Sequence, residues 1–336
     1  MNYEDVSQSH PPDTDMPSEQ AVESVERAVG EADHEFPGAD KDHADNDEGK
    51  LGPARLSIDN LVVAFGGVRA VDGVSITVEP GSLVGLVGPN GSGKTTLLDA
   101  VSGLVRCTAG SVSLDDEDIV DHLPEERAQL GIVRSFQDCR LYPELTVEDA
   151  LLVSEDARHR SDVVSTTLQL PWARKAEKVK RAAVDRVISS FGLERFRSHR
   201  TNQLSTGTRR VVDLASIVLS QPRLLLLDEP TAGIAQREAE AFVPLLRRLQ
   251  EVTHATILLV EHDVPLVFGL CSKVVVMETG QVVSIGTPDE VSRDPRALAA
   301  YLGASEEALL VSGPTHLGPS SGLGEPGKPG EPRNTT

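Results

Sequence analysis

Hydrophobic and polar positions follow two different patterns along this chain. They alternate in residues 55–64 and 74–78, whereas residues 224–227 and 255–260 are unbroken apolar runs. Alternation is typical of strands with one face on the core, and short unbroken runs are typical of strands covered on both faces of a parallel sheet. The pattern therefore predicts an α/β protein with an antiparallel layer beside a mixed sheet. Turns at Gly66-Gly67 and Asp72-Gly73 are expected to join the first strands.

The remaining segments alternate between strand and helix signals. A capping box with proline at the first helical position, Thr287-Pro288-Asp289-Glu290, predicts a helix near the end of the folded part. Residues 146–203 are mostly helical by their spacing, with a long basic amphipathic helix over residues 172–191. Other strands are predicted at residues 83–87, 110–114, 132–136, 273–277 and 281–285, and short helices at residues 123–126 and 146–149.

Both ends of the chain differ in composition from its centre. Residues 1–52 contain 15 Asp and Glu against 3 Lys and Arg, and few apolar side chains. Such a segment buries too little surface to offset chain entropy, so a disordered acidic arm is predicted. It is either a solubilising tail or an arm that docks on a partner. Residues 305–336, rich in Gly and Pro, are predicted to be a flexible tail. One folded domain is predicted over residues 53–304, with a helical part at about 138–220.

Charge and cysteine content narrow the class of protein. The formal net charge is −20, and neither the arm nor the remainder is basic, which argues against a nucleic-acid surface. Cys107, Cys139 and Cys271 are widely spaced, as expected for reduced thiols in a cytoplasmic protein. No apolar run approaches about eighteen residues, so neither a transmembrane helix nor a signal peptide is predicted.

A glycine-rich stretch between a buried strand and a helix carries the first candidate chemistry. Glycines let several backbone N–H groups point inward, and the helix N-terminus adds unpaired donors, which together cradle a polyphosphate. Lys94 is placed to reach the β- and γ-phosphates and the Thr95 hydroxyl to bind Mg²⁺. The alternative is an ordinary glycine-rich turn with an exposed lysine. The stretch reads Gly88-Pro89-Asn90-Gly91-Ser92-Gly93-Lys94-Thr95-Thr96.

Two adjacent carboxylates end the apolar run at residues 224–227. An aspartate at the tip of a buried strand beside a phosphate loop holds Mg²⁺ in P-loop enzymes, which predicts that role for Asp228. Glu229, one residue further, is placed to orient the attacking water. The alternative is an acidic pair that only caps a loop.

With these motifs, four further segments resemble the ATP-binding cassette (ABC) of membrane transporters. The family's signature corresponds to the segment Leu204-Ser205-Thr206-Gly207-Thr208. Gln137 follows the predicted strand at residues 132–136, and His262 follows the apolar run at residues 255–260. Both match polar residues that the family carries at these places. The resemblance spans residues 55–303 and implies a P-loop ABC cassette that uses ATP and Mg²⁺. It implies that Phe65 stacks on adenine, Gln137 contacts Mg²⁺ and water, and His262 senses the γ-phosphate. Ser205 and Gly207 would contact the γ-phosphate of a second cassette's ATP.

Finer detail resembles the cassettes of branched-chain amino-acid importers, in residues 131–153, 257–263 and 300–303. That resemblance implies an ATPase subunit at the cytoplasmic face of the cell membrane. Its partners would be integral-membrane permeases, a second cassette and, indirectly, a substrate-binding protein, without nucleic acid. The chain departs from the pattern at Thr208, where glutamine is usual, and at Ala235-Gln236, where Asn-Pro is usual. Both segments face the partner cassette, so a homodimer and a heterodimer with one weaker site stay open.

Three other functions remain compatible with the motifs. The altered signature favours a regulatory subunit that binds ATP without turning it over. An exporter cassette is a second alternative, because substrate choice lies in other subunits. A soluble ABC ATPase of nucleic-acid repair or translation is the third, although such proteins usually carry coiled coils, zinc modules or a second cassette.

Overall fold

The structure, a computed structural model, describes residues 52–135, 141–158, 171–232 and 236–302. The predicted acidic arm, apart from Gly52, and the predicted tail at 305–336 lie outside these residues. The strands are β1 Leu56–Phe65, β2 Val68–Val78, β3 Leu83–Val87, β4 Ala109–Leu114, β5 Glu117–Asp118, β6 Ile132–Ser135, β7 Leu224–Asp228, β8 Thr256–Val260, β9 Lys273–Glu278 and β10 Gln281–Gly286.

Helices lie between these strands and after them. They are α1 Lys94–Val101, α2 Pro124–Gln129, α3 Val147–Arg158, α4 Pro171–Ser190, α5 Thr206–Ser220, α6 Gln236–Thr253, α7 Val264–Leu270, α8 Pro288–Val291 and α9 Pro295–Leu302. Short 3₁₀ turns at Glu194–Phe196 and Thr201–Gln203 lead into α5. The patterns above did not predict α6, which has Pro244 in its interior. Within the described ranges, every helix is too short or too polar to cross a bilayer.

A four-stranded antiparallel sheet in the order β2-β1-β4-β5 forms one layer, as predicted. The predicted turn at Asp72-Gly73 is wrong, because β2 continues through it. Leu61 pairs with Val74 and Val62 with Asp72, so Gly73 is the extra residue of a bulge. Its φ of 73° is one that glycine adopts at low cost, and the pairing resumes on both sides.

The second layer is a six-stranded mixed sheet in the order β10-β9-β3-β8-β7-β6. Its strands from β9 to β6 run parallel, and β10 pairs antiparallel at the edge. All residues of β3, β7 and β8 are buried, as the unbroken apolar runs predicted.

Side chains of β7 alternate between two hydrophobic clusters. Leu224 and Leu226 point into the cluster shared with the antiparallel sheet and α1, whereas Leu225 and Leu227 join the cluster beneath the helices. The mixed sheet is therefore covered on both faces, which explains why its strands carry no polar alternation.

The helical part packs through α3, α4 and α5 on the hydrophobic cluster that contains Leu225 and Leu227. Val147 and Leu151 of α3 meet Val184 and Ile188 of α4 in that cluster.

The predicted capping box is confirmed at α8, where Thr287 Oγ1 accepts from Glu290 N at 3.3 Å and Thr287 N donates to the Glu290 carboxylate at 2.8 Å. This arrangement gives the N-terminus of α8 its hydrogen-bond partners.

Parallel strands bring three loops to the same edge of the mixed sheet. The glycine-rich stretch follows β3, the acidic pair ends β7, and Glu261-His262 follows β8. Because β3 pairs with β8 and β8 with β7, these carboxyl ends are neighbours. Ligand sites in open α/β sheets form at this edge, so the topology gathers the predicted residues there.

Candidate active site

The glycine-rich loop can exist only with glycine at two of its positions. A Cβ on Gly88 would lie 2.1 Å from the Met277 carbonyl oxygen, and one on Gly93 2.2 Å from the Ala70 carbonyl oxygen. Both glycines also have positive φ, 152° and 100°. The loop is therefore packed against β2 and β9, with a curvature that other residues do not tolerate.

Lys94 lies folded over this loop at the start of α1. Its side chain is buried, and Nζ donates to the carbonyl oxygens of Gly88 at 2.8 Å and Pro89 at 3.0 Å. Burial lowers the pKa of Lys94, and the negative charges of Glu229 and Asp228 oppose that effect. The ammonium group of Lys94 therefore lies close enough to the carboxylates of Asp228 and Glu229 to interact with their charges.

Ser92 provides an observation on what the loop can hold. Its side chain is 1% exposed, and Oγ has no hydrogen-bond partner in the part of the chain that the structure describes. Gly91 beside it faces open space. A buried hydroxyl without a partner is costly, and the oxygens of a bound phosphate would satisfy it. The loop therefore fits a polyphosphate.

Thr95 and Asn90 are exposed, and Thr96 and Pro89 are half-buried.

Asp228 ends β7 with a buried carboxylate held by an arginine that the sequence analysis did not single out. Arg134 of β6 donates from Nη2 to Asp228 Oδ2 at 2.9 Å, and its Nη1 contacts Asp99 of α1. Burial raises the pKa of Asp228, and Arg134 counteracts this by favouring the charged form. The sequence analysis predicted a strand around Arg134 but gave no reason to expect its side chain to be buried.

Glu229 and His262 face each other across the ends of β7 and β8. His262 Nδ1 lies 3.7 Å from Glu229 Oε1. Glu229 has a φ of 47°, unusual for a residue with a side chain, and its N–H donates to the Val260 carbonyl oxygen at 2.9 Å. The structure therefore brings Lys94, Asp228, Glu229 and His262 together at one edge of the mixed sheet.

Other predicted residues lie on separate elements. Ser205 caps the N-terminus of α5, where its Oγ accepts from Thr208 N at 3.2 Å and lies 2.9 Å from Thr208 Oγ1. Gly207 is buried in the first turn of α5. Phe65 ends β1 with its ring 53% exposed. Gln137 lies outside the described residues, so its role stays a prediction.

Comparison with known proteins adds the family to this geometry. Residues 71–232 match the family model for ABC transporters, and residues 281–307 match the model described as branched-chain amino acid ATP-binding cassette transporter. The high-affinity branched-chain amino acid transport ATP-binding protein LivG of Escherichia coli K12 is 34% identical over 251 residues, 74% of this chain and 97% of LivG. The chain belongs to the ATP-binding cassettes of ABC transporters.

Further relatives and solved structures agree with this assignment. BraF of Pseudomonas aeruginosa, a protein of the same description, is 32% identical over 248 residues, 74% of this cassette and 97% of BraF. A nucleotide-free cassette from an ABC transporter superposes with a TM-score of 0.63 at 29% identity, over 74% of this cassette and 98% of that chain. The ADP form of the cassette MJ1267 gives the same TM-score at 28% identity, over 74% and 99% of the two chains.

Membership of the family confirms the fold class and the ATPase chemistry predicted from the motifs. This cassette is a nucleotide-binding ATPase whose reaction is coupled to transport. The match to the ABC transporter model covers the glycine-rich loop and the acidic pair. The roles of the individual side chains are taken up as proposals below.

Proposed function

We propose that this cassette is the ATP-hydrolysing subunit of an importer for branched-chain or other hydrophobic amino acids. It would work at the cytoplasmic face of the cell membrane with separate permease subunits and, indirectly, a substrate-binding protein. The observation that carries the proposal is the alignment with LivG and BraF over nearly their whole length, together with the match of residues 281–307 to a model specific to such transporters.

The loop and the acidic pair fit MgATP. The loop N–H groups and the buried Ser92 hydroxyl would bind phosphate oxygens, and Lys94 would leave its carbonyl partners for the β- and γ-phosphates. Thr95, Asp228 and Gln137 would hold Mg²⁺, since hydroxyl, carboxylate and amide oxygens suit this ion. When bound, Mg²⁺ neutralises charge on the phosphate oxygens. Phe65 would stack on the adenine ring.

Glu229 and His262 would act on the reacting phosphate. Phosphoryl transfer depends mainly on positioning and charge stabilisation. Glu229, 3.7 Å from His262, would align the attacking water, and His262 would contact the γ-phosphate. Lys94 would stabilise the charge that spreads over the phosphoryl oxygens.

The proposed working unit is a head-to-tail dimer of cassettes. Each phosphate loop would face Ser205 and Gly207 of the other cassette, at the start of α5, and their hydroxyl and N–H groups would contact the γ-phosphate. ATP would stabilise the closed dimer because its contacts with both cassettes exist only in that state, and hydrolysis would release it. The helical part after Gln137 would transmit the motion to the permeases.

The signature offers the one observation that favours a second candidate, a catalytically weak cassette that scaffolds a complex. Thr208 replaces the usual glutamine, and its hydroxyl lies 2.9 Å from Ser205 Oγ, the group proposed to meet the second ATP. A Ser205 hydroxyl engaged within its own helix is less available across the dimer. A heterodimer with one stronger site would reconcile this feature with turnover.

Uptake and turnover in one reconstituted system test the proposal. Vesicles containing the permeases, the substrate-binding protein and this cassette should accumulate radiolabelled leucine with MgATP. Lys94→Ala and Glu229→Gln should each lower uptake and ATP turnover by at least about a hundredfold, because one loses phosphate contact and the other the water-aligning carboxylate.

Nucleotide binding and mass distinguish the two losses. Lys94→Ala should bind MgATP weakly, whereas Glu229→Gln should bind it and form a dimer with itself or with a second cassette, measured by light scattering. Wild-type vesicles that turn over ATP but accumulate neither leucine nor another hydrophobic amino acid would contradict the assigned substrate. Near-normal turnover by Glu229→Gln would contradict its assigned role, and a wild-type complex that binds ATP without turnover would favour the scaffold.

A further inference from the structure

Glu261 is a buried carboxylate that the mechanism above does not use. It directly follows β8 and is 0% exposed. Its Oε1 accepts from Thr231 N at 3.0 Å and from Thr231 Oγ1 at 2.6 Å, and its Oε2 lies 3.3 Å from the donor N of His262. A fully buried charge is costly, so the contacts that satisfy it are well defined.

These contacts belong to a wider connection between two strand ends. The Glu229 N–H donates to the Val260 carbonyl oxygen at 2.9 Å, and the turn after Glu229 is closed by a bond from Ala232 N to the Glu229 carbonyl oxygen at 3.0 Å. Residues 229–231 are thus held against residues 260–262 by backbone at one end and by the Glu261 carboxylate at the other. Both segments carry a residue of the proposed hydrolytic site.

The backbone at Glu229 needs this support. Its φ of 47° lies in the left-handed region, which a residue with a Cβ occupies only when its surroundings hold it there. Pro230 and Thr231 continue the turn, and its far end is fixed by the Thr231 bonds to Glu261 together with a longer bond from Arg210 Nη2 to the Ala232 carbonyl oxygen at 3.4 Å. Releasing Thr231 would let the turn relax and would move the Glu229 side chain.

We propose that Glu261 is a positioning residue for hydrolysis, which clamps the Thr231 turn and the His262 backbone so that Glu229 and His262 meet at the γ-phosphate. One carboxylate with two oxygens serves both sides: Oε1 fixes the acidic side and Oε2 the histidine side. The inference rests on the proposed roles of Glu229 and His262. It assigns to Glu261 no contact with nucleotide.

Glu261→Gln tests the clamp with almost unchanged volume. A glutamine has one acceptor oxygen and one donor nitrogen, so it can serve Thr231 or the His262 N–H but not both. In the full-length cassette, assembled in the complex that turns over ATP, kcat should fall at least about tenfold, because small misplacements of reacting groups have large effects on rate. KM for MgATP should change less than about twofold, since the loop contacts are untouched.

Thr231 supplies a second, smaller variant with a matched control. Thr231→Val removes the hydroxyl donor and keeps the N–H, whereas Thr231→Ser keeps both. We expect kcat to fall in the valine variant and to return to near wild type in the serine variant. Thr231→Val should also cost less in the Glu261→Gln background than alone, because both changes disrupt the same contact.

The outcomes separate this inference from the function it rests on. If Glu229→Gln is inactive while Glu261→Gln keeps kcat within about twofold of wild type, the clamp is wrong and the assigned function stands. If Glu229→Gln keeps its turnover, the role of Glu229 fails and the inference fails with it. If Glu261→Gln does not fold, as judged by its thermal midpoint, the two Thr231 variants decide. Equal kcat values for Thr231→Val and Thr231→Ser overturn the inference, and a loss of kcat confined to Thr231→Val supports it.

Discussion

Arg127 is the buried cation whose removal should cost the fold most, and it lies under the helix that carries the phosphate loop. It belongs to α2 and is 2% exposed. Its Nη1 donates to the carbonyl oxygens of Ala100 at 2.6 Å and Val101 at 2.8 Å, at the C-terminal end of α1. Nη2 donates to Val120 O at 2.8 Å and Nε to His122 O at 3.1 Å.

Arg127→Met keeps much of the side-chain volume and removes all of these donors. All four carbonyls lose the bond from Arg127, but the Ala100 carbonyl retains one from Gly103 N at 3.2 Å, so the cost falls on the other three. A buried acceptor without a partner costs about 1–3 kcal/mol. Taking the low end, because two of the three sites are only partly buried, gives a loss of about 3 kcal/mol. Relief from burying the guanidinium reduces this loss, and the lost positive charge at the end of α1 adds to it.

Urea unfolding of the full chain measures this loss as a lower midpoint at constant slope. For a domain of this size, about 3 kcal/mol corresponds to a thermal midpoint lower by about 6–12 °C. Arg127→Lys should fall between wild type and Met, since one ammonium group cannot reach all four carbonyls. MgATP should raise the midpoint of every variant that keeps the loop. A methionine variant within about 1 kcal/mol of wild type would refute the reasoning.

Two further predictions concern the sheet and the helical part. Gly85→Ala in β3 should destabilise by about 1–3 kcal/mol, because its Cβ would lie 2.3 Å from Val267 Cγ1 and 3.1 Å from Cys271 Sγ. Val267→Ala in the same chain should restore part of the midpoint, and additive losses would contradict the clash. Burial raises the pKa of Asp213 above its usual 3.8, although Ser135 donates to it at 3.0 Å. The folded state therefore binds this proton more tightly, and stability falls as pH rises from 3.8 through the raised value. Asp213→Asn should flatten that slope in urea titrations at several pH values, and an unchanged slope would contradict the assignment.

Local patterns in the sequence were enough for most of the strands, though not for β5 or the first half of β2, and for the glycine-rich loop. The unbroken apolar run of β7 and the glycines at 88 and 93 can be recognised within single short segments, although the contacts that require them come from other strands. The strand-ending acidic pair predicted a role for Glu229 and the family resemblance one for His262, and the structure brings both residues to one edge of the sheet. The turn at Asp72-Gly73 failed because a glycine signal is the same for a turn and for a bulge, and the choice depends on pairing with β1.

The sequence did not reveal which charged side chains lie inside the protein. Charged side chains are usually exposed, so a pattern offers no reason to place Arg127, Arg134 or Glu261 inside the protein. Each is buried because its partners come from distant parts of the chain: carbonyls at the end of α1, the carboxylate that ends β7, and the turn at Thr231. These partners exist only after the strands have assembled.

The sequence by itself therefore determined which chemical groups this cassette carries, because the glycine-rich loop and the strand-ending carboxylates are motifs within single short segments. Tertiary structure alone decided how those groups are held. Strand order places β7 beside β8, which lets Glu261 reach Thr231, and beside β6, which lets Arg134 reach Asp228. Burial and hydrogen-bond pairing are properties of the assembled sheet, and no single segment encodes them.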